Sequence, residues 1–345
     1  MPINKGAAPV NINNRKVING GDADVMQLYP MKHHFAWEAY MAGNANHWLP
    51  TEISMQRDIE QWKSTSGVLT DDERKAFETV LGFFTTADSI AANNIVLAVY
   101  KHITSPEIRM YLLRQGYEEA IHTHAYQYIV ESLGMDESKI FNMYREVESI
   151  YNKDNMILGM NEGIFDPAFQ TGTFENDQKF LENICVFSLI MEGIFFYSSF
   201  AVMFGFQRQN KLTGSAEQIQ YIMRDESQHL NFGINIINAI KEEQPELWTP
   251  EFQTRIIDLV RRAVVLEYTF ATEVFPRGIF GMNADGFKQY IEHIADRRLT
   301  AVGLPAQYNV ANPFTWMSEA VDLNKEKNFF ETRVTEYKTG GTLEW

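Results

Sequence analysis

Residues 184–206, ICVFSLIMEGIFFYSSFAVMFGF, run for 23 positions with one charge among them, Glu192. The length suits a membrane span. A carboxylate in mid-span and the lack of basic flanking anchors argue against one. A helix apolar on all sides also serves as the central member of a soluble bundle. The neighbouring segments are long, amphipathic and charged outside, so the bundle is the better reading. All-round burial then leaves Glu192 in need of a compensating partner, because an ionised carboxylate in an apolar interior must be paired, protonated or metal-bound.

Working outward, the pattern is helical almost throughout, and strand-type alternation with hairpin turns is scarce. Thr70-Asp71-Asp72-Glu73 has capping-box spacing and opens a helix through FETVLGFFTTADSIAANNIVLAVYKHI. Ser105-Pro106 reads as a cap followed by proline at the first helical position. That helix should run to Gly134, a C-terminal breaker. Further helices are expected near 176–207, 215–243, 251–275 and 284–302. A second acid, Asp88, sits in the apolar surroundings GFFTTADSIAANNIVLA.

Two Glu-x-x-His motifs complete the set, Glu119/His122 and Glu226/His229. Residues i and i+3 share a helical face, so each motif points a carboxylate and an imidazole the same way. Spacing alone is weak evidence; order and environment strengthen it. Asp88 precedes Glu119 by 31 residues and Glu192 precedes Glu226 by 34, each interval fitting a helix, a turn and part of a second helix. Two helix pairs, each giving one lone acid and one Glu-x-x-His, predict an all-α, ferritin-like bundle holding two metal ions. Four carboxylates cancel two divalent charges, and an oxygen-rich set with two imidazoles favours iron or manganese over zinc. Taken singly, each acid would more often be satisfied by Arg, Tyr or water. Tyr126, four residues after His122, lies on the same face, where a phenol beside oxygen-activating metals can be oxidised. Phe195, Phe196 and Phe200 are candidates to shield it.

Composition sets the outer limits. The 345 residues carry a net charge of −15, which disfavours nucleic acid and anionic membrane surfaces as ligands. One cysteine, Cys185, excludes intrachain disulfides and dithiol chemistry. The N-terminal stretch lacks a basic-then-apolar secretory pattern, so a cytoplasmic location is expected. His33-His34 reads as an exposed pair, His124 should point away from the metal side, and Arg261-Arg262, Arg297-Arg298 and Lys325–Lys327 read as solvated charge. No Gly-rich phosphate loop is present.

From about residue 28 onward the chain resembles the small, radical-generating subunit of class I ribonucleotide reductase. The resemblance rests on NHWLPTE around Trp48, TTADS around Asp88, EEAIHTHAY, MEGIFFY, RDESQHL and the ending NKEKNFFETRVTEY. It implies that Asp88, Glu119 and His122 bind one metal and Glu192, Glu226 and His229 the other, with some Glu bridging. Tyr126 falls on the family's stable radical position. Trp48 and Asp225 match the residues that, with His122, carry an electron and proton toward the surface. Tyr337 matches the relay residue at the subunit boundary, and the last residues the peptide that docks on the large (alpha) subunit, which binds the nucleotide and holds the reducing cysteines. A homodimer is implied as well.

MEGIFFYSSF and the tail look closest to a subgroup with phenylalanine at the radical position, glutamate as first ligand and a manganese–iron cofactor. Asp88 and Tyr126 instead match tyrosyl-radical members, so a diiron centre is expected, with manganese–iron or dimanganese open. The expected layout is a loose arm over 1–25, the dimetal domain over 26–320 and a docking tail over 321–345. Competing readings are a ligand-binding oxidase acting on a fatty acid, which has no use for Trp48 or Tyr337; an iron-storage shell, which leaves the aromatic tail unexplained; and a metal-free structural bundle.

Overall fold

The computed structural model describes residues 11–21, 28–274 and 276–317. Among them the helices run in the order α1 (His34–Ala45), α2 (Gln56–Lys63), α3 (Asp71–Asn93), α4 (Pro106–Leu133), α5 (Glu137–Phe141), α6 (Met143–Glu146), α7 (Glu148–Asn161), α8 (Phe174–Cys185), α9 (Phe196–Arg208), α10 (Thr213–Glu243), α11 (Pro250–Val274) and α12 (Ala284–Ala301). Two isolated bridges, Ile18 with Ile103 and Ile279 with Met282, are the extended pairings among the described residues. The fold is an all-helical bundle.

The apolar stretch forms the centre of that bundle. α8 passes through a π-helical segment, Val186–Phe195, straight into α9, and the most apolar part of this rod is wholly buried. It is a core helix. α10 packs along the rod, α11 and α12 cover its other sides, and α3 pairs with α4. α10 comes so close that a Cβ at Gly233 would collide with the Ser188 side chain.

The capping chemistry holds in detail. Thr70 Oγ1 accepts from the Glu73 N–H at 3.2 Å while Glu73 Oε2 accepts from the Thr70 N–H at 2.9 Å. Gly134 ends α4 with a left-handed φ of 68°, which a residue without Cβ adopts freely. Ser105 departs from expectation: Pro106 does open α4, but the serine hydroxyl makes no cap bond and lies 2.9 Å from His33 Nδ1.

His33 therefore corrects the expectation of an exposed pair. It is buried, with Nε2 2.9 Å from Glu243 Oε1, whereas His34 is exposed. Residues 11–21 lie against the same place. Val17 and Ile18 are fully buried, and the Val17 N–H donates to Glu243 Oε2 at 2.7 Å. Arg298 is the second correction. Arg261, Arg262 and Arg297 are exposed, but Arg298 is buried and donates Nε–H to the Gly193 carbonyl at 2.8 Å.

Candidate metal centre

Two helix pairs bring six chemistry-bearing side chains to one interior point. Asp88 comes from α3, Glu119 and His122 from α4, Glu192 from the π-helical segment, and Glu226 and His229 from α10. Their ligand atoms fall into two overlapping groups: Asp88, Glu119, His122 and Glu226; and Glu119, Glu192, Glu226 and His229. Within each group the atoms lie within 4.8 Å of one another. Glu119 and Glu226 belong to both groups. Five of the six are fully buried and Glu192 is 3% exposed.

The two imidazoles are used alike. His122 turns Nδ1 inward, 3.1 Å from Glu226 Oε1 and 3.6 Å from Asp88 Oδ2. His229 turns Nδ1 inward, 3.2 Å from Glu119 Oε1. Each outward Nε2 meets an outer carboxylate, Asp225 Oδ2 at 3.3 Å for His122 and Glu118 Oε2 at 2.8 Å for His229. Such outer carboxylates fix the ring orientation and tautomer of a ligand histidine. Glu118 and Gln115, whose Nε2 donates to Glu192 Oε1 at 3.0 Å, went unnoticed in the sequence. The signal was there for Glu118, which directly precedes Glu119 but is buried on the face toward α10.

Electrostatics show what the cluster lacks. Burial, reinforced by Glu119 and Glu226, pushes Asp88 well above the usual carboxylate range, and burial with the same two neighbours does so for Glu192. Burial would also raise Glu119, but the two imidazoles beside it outweigh burial and hold that carboxyl low. Both oxygens of Asp88, Glu119 and Glu226, and the inward nitrogens of His122 and His229, have no hydrogen-bond partner. Buried acceptors crowded together without donors are the signature of a site completed by cations, and the donor set fits two divalent ions. This is a buried dimetal carboxylate–histidine site.

Around it, Trp48 donates its indole N–H to Asp225 Oδ2 at 2.8 Å, and Arg224 holds the other oxygen of Asp225 from Nη2 at 3.1 Å. Tyr126 is fully buried and its hydroxyl has no hydrogen-bond partner. Burial, then the negative fields of Asp88 and Glu226, push its phenol well above the usual range. The shield differs from the expected one. Phe84 stacks directly on Tyr126, centroids 5.4 Å apart and planes 4° from parallel, while Phe196 and Phe200 pack on Phe84. Phe195 packs instead against Phe83. His124 is exposed, as its position on α4 requires. Tyr337, the docking tail and Lys325–Lys327 lie outside the described residues.

Comparison with known proteins agrees with this geometry. Residues 25–313 match the family described as ribonucleotide reductase, small chain. The chain is 53% identical over 336 residues to the ribonucleoside-diphosphate reductase subunit beta of Chlamydia pneumoniae, covering 97% of this chain and 96% of that one. Its fold is similar to that of the ribonucleotide reductase R2 subunit from Clostridium botulinum, with a TM-score of 0.82 at 29% identity, covering 93% and 97% of the two chains. The dimanganese(II)-NrdF of Streptococcus sanguinis shares the fold, with a TM-score of 0.71 at 19% identity over 86% of this chain and 98% of that one. With the interior carboxylates and imidazoles in place, the chain belongs to the ribonucleotide reductase small-chain family.

Proposed function

We propose that this chain is the radical-storing beta subunit of a ribonucleoside-diphosphate reductase, passing an oxidising equivalent to a large alpha subunit for reduction of ribonucleotides to deoxyribonucleotides in the cytoplasm. Asp88, Glu119 and His122 would hold one ion and Glu192, Glu226 and His229 the other, with Glu119 and Glu226 within reach of both; iron at both positions is the assignment. Bound in pairs, such ions supply the power to oxidise a phenol by one electron at the expense of dioxygen. The observation that carries the reading is Tyr126, a buried phenol without a hydrogen-bond partner in the field of the same carboxylates.

Tyr126 is held protonated at Oη by burial, so it gives up its proton together with its electron, and Asp88, the carboxylate whose field acts on it most strongly, is the group to receive it. Phe84 and its aromatic neighbours exclude water from the resulting phenoxyl. The hydrogen-bonded line His122–Asp225–Trp48 offers the way out, since Trp48 lies between the exposed His47 and Leu49. Tyr337 and the tail continue it to the alpha subunit. The homodimer face is assigned to the exposed apolar side chains Leu113 and Tyr117 of α4, beside Val96 and Leu97.

Electron paramagnetic resonance after aerobic iron loading tests the reading. A tyrosyl doublet in the wild type, absent in Tyr126→Phe, is expected. A coupled manganese–iron signal with no doublet would replace the diiron assignment, and less than one bound metal per chain would end the dimetal one.

A further inference from the structure

Arg298, on α12, is a buried charged side chain that hydrogen-bonds to the backbone of the π-helical segment carrying Glu192. Its Nε–H donates at 2.8 Å to the carbonyl of Gly193, the residue directly after Glu192. Gly193 leaves room for this close approach: a Cβ there would stand 3.2 Å from both Cδ and Nε of the arginine, and 2.8 Å from the Ser188 carbonyl oxygen. The guanidinium carbon also lies 4.4 Å above the ring of Tyr197. The Tyr197 hydroxyl pairs with Ser227 Oγ at 2.7 Å, and Ser227 directly follows Glu226. One cation thus reaches the neighbour of each of two carboxylates, Glu192 directly and Glu226 through a tyrosine.

Packing alone does not account for this residue. Arg298 Nη2 is buried without a hydrogen-bond partner. A buried guanidinium with so few bonds carries a desolvation penalty that an apolar side chain of similar volume would avoid. The widened π turn offers a reason for retaining it. Wide turns inside α-helices cluster at functional sites and set the direction of a side chain that an α-helical register would point elsewhere.

We infer that Arg298 is a positioning residue that fixes the Gly193 peptide and so aims the Glu192 carboxylate into the metal site containing Glu119, Glu226 and His229. This rests on the dimetal reading. Glu192 belongs to only one of the two ligand groups. The consequence is site-selective: losing the Nε donor weakens one metal position and spares the Asp88 position.

Manganese(II) titration of the full, metal-free chain, following free Mn(II) by electron paramagnetic resonance, tests this on wild type, Arg298→Lys, Glu192→Gln and the double variant. Lysine keeps the cation and removes the Nε–H. Thermal unfolding of the metal-free forms monitors the fold. Wild type should take up two equivalents, and Arg298→Lys should bind one of them about tenfold more weakly, the loss typical when a ligand's outer partner is removed. The equivalent that survives in Glu192→Gln should be unaffected by adding Arg298→Lys. Equal weakening of both equivalents, unchanged binding of both, or a further loss in the double variant would overturn the inference. Failure of the wild type to bind two equivalents would overturn the dimetal reading and this inference with it.

Discussion

Trp48 and Asp225, 177 residues apart in sequence, are joined by a 2.8 Å hydrogen bond from the indole N–H to Oδ2. The same oxygen faces His122, so the pair ties the interior cluster to the bundle's edge. Trp48→Phe removes the donor while leaving an aromatic ring in place. The variant should still load metal and give the Tyr126 doublet, while turnover with the alpha subunit falls about 100-fold, the upper end of the range for an outer partner. Parallel resonance and activity measurements check this, and normal turnover would remove Trp48 from the relay.

Tyr126→Phe should fold at least as well as wild type. The hydroxyl is buried without a partner, and deleting such a group relieves about 1 kcal/mol rather than removing a bond. Denaturant unfolding of the metal-free forms measures it. A large loss of stability would mean that the hydroxyl is bonded after all.

Lys153 and Glu267 form a buried ion pair, Nζ to Oε2 at 2.8 Å, with the ammonium 3.4 Å from the centroid of the Phe83 ring. Glu267 also accepts from Ser198. Glu267→Ala strands a cation in an aromatic box and should cost about 3–5 kcal/mol. Lys153→Met combined with Glu267→Gln should recover most of that, because no charge is then left alone. Chemical unfolding of both variants beside the wild type tests the pair, and a double variant as unstable as the single one would refute the account.

The junction of His33 with Glu107 and Glu243 should make stability depend on pH from both sides. Burial would raise Glu107, but bonds from the His33 ring and the backbone N–H groups of His33 and Lys32 win and hold its carboxyl at about 2. Its folded value lies below its unfolded one, so its contribution is present above about pH 4.5 and is lost as pH falls toward 2. Burial would lower His33, but Glu107 and Glu243 win and raise it. Its contribution is therefore full below about pH 6.5 and fades as pH rises through the raised value. Glu107→Gln should flatten the acid limb of a stability–pH curve and shrink the alkaline loss. An unchanged curve would show that the junction does not hold the 11–21 segment.

Leu97→Glu with Leu113→Glu places charges on the exposed apolar face of α4 and its neighbour. Sedimentation should move from twice the 39.8 kDa chain mass to once that mass, with helical content intact. A dimer that persists at micromolar concentration would place the interface elsewhere.

How far the sequence speaks for itself is clear from particular residues. Asp88, Glu119, His122, Glu192, Glu226 and His229 were legible because two acids in apolar surroundings and two Glu-x-x-His motifs alternate at intervals that fit two helix pairs. Thr70 and Gly134 are likewise local chemistry, read directly. Arg298, His33 and Glu118 were not legible. Each is buried by a partner from a distant part of the chain: Gly193, Glu243 and His229. Arg297 and Arg298 look alike in sequence, and only the face that α12 turns toward the central rod separates the exposed one from the buried one. The π turn was not read either: its Ser188 lies against α10 at Gly233 and its Gly193 against Arg298, contacts with distant parts of the chain that local periodicity does not record.

The ring of Phe84 lying flat on Tyr126 has one more implication. On that side of the phenol, a reductant arriving from outside must wait for the aromatic layer to part. The lifetime of an unpaired electron stored there would then be a clock for breathing of the bundle's interior, and quencher-induced decay should keep pace with exchange of the slowest amide protons in α3 and α4.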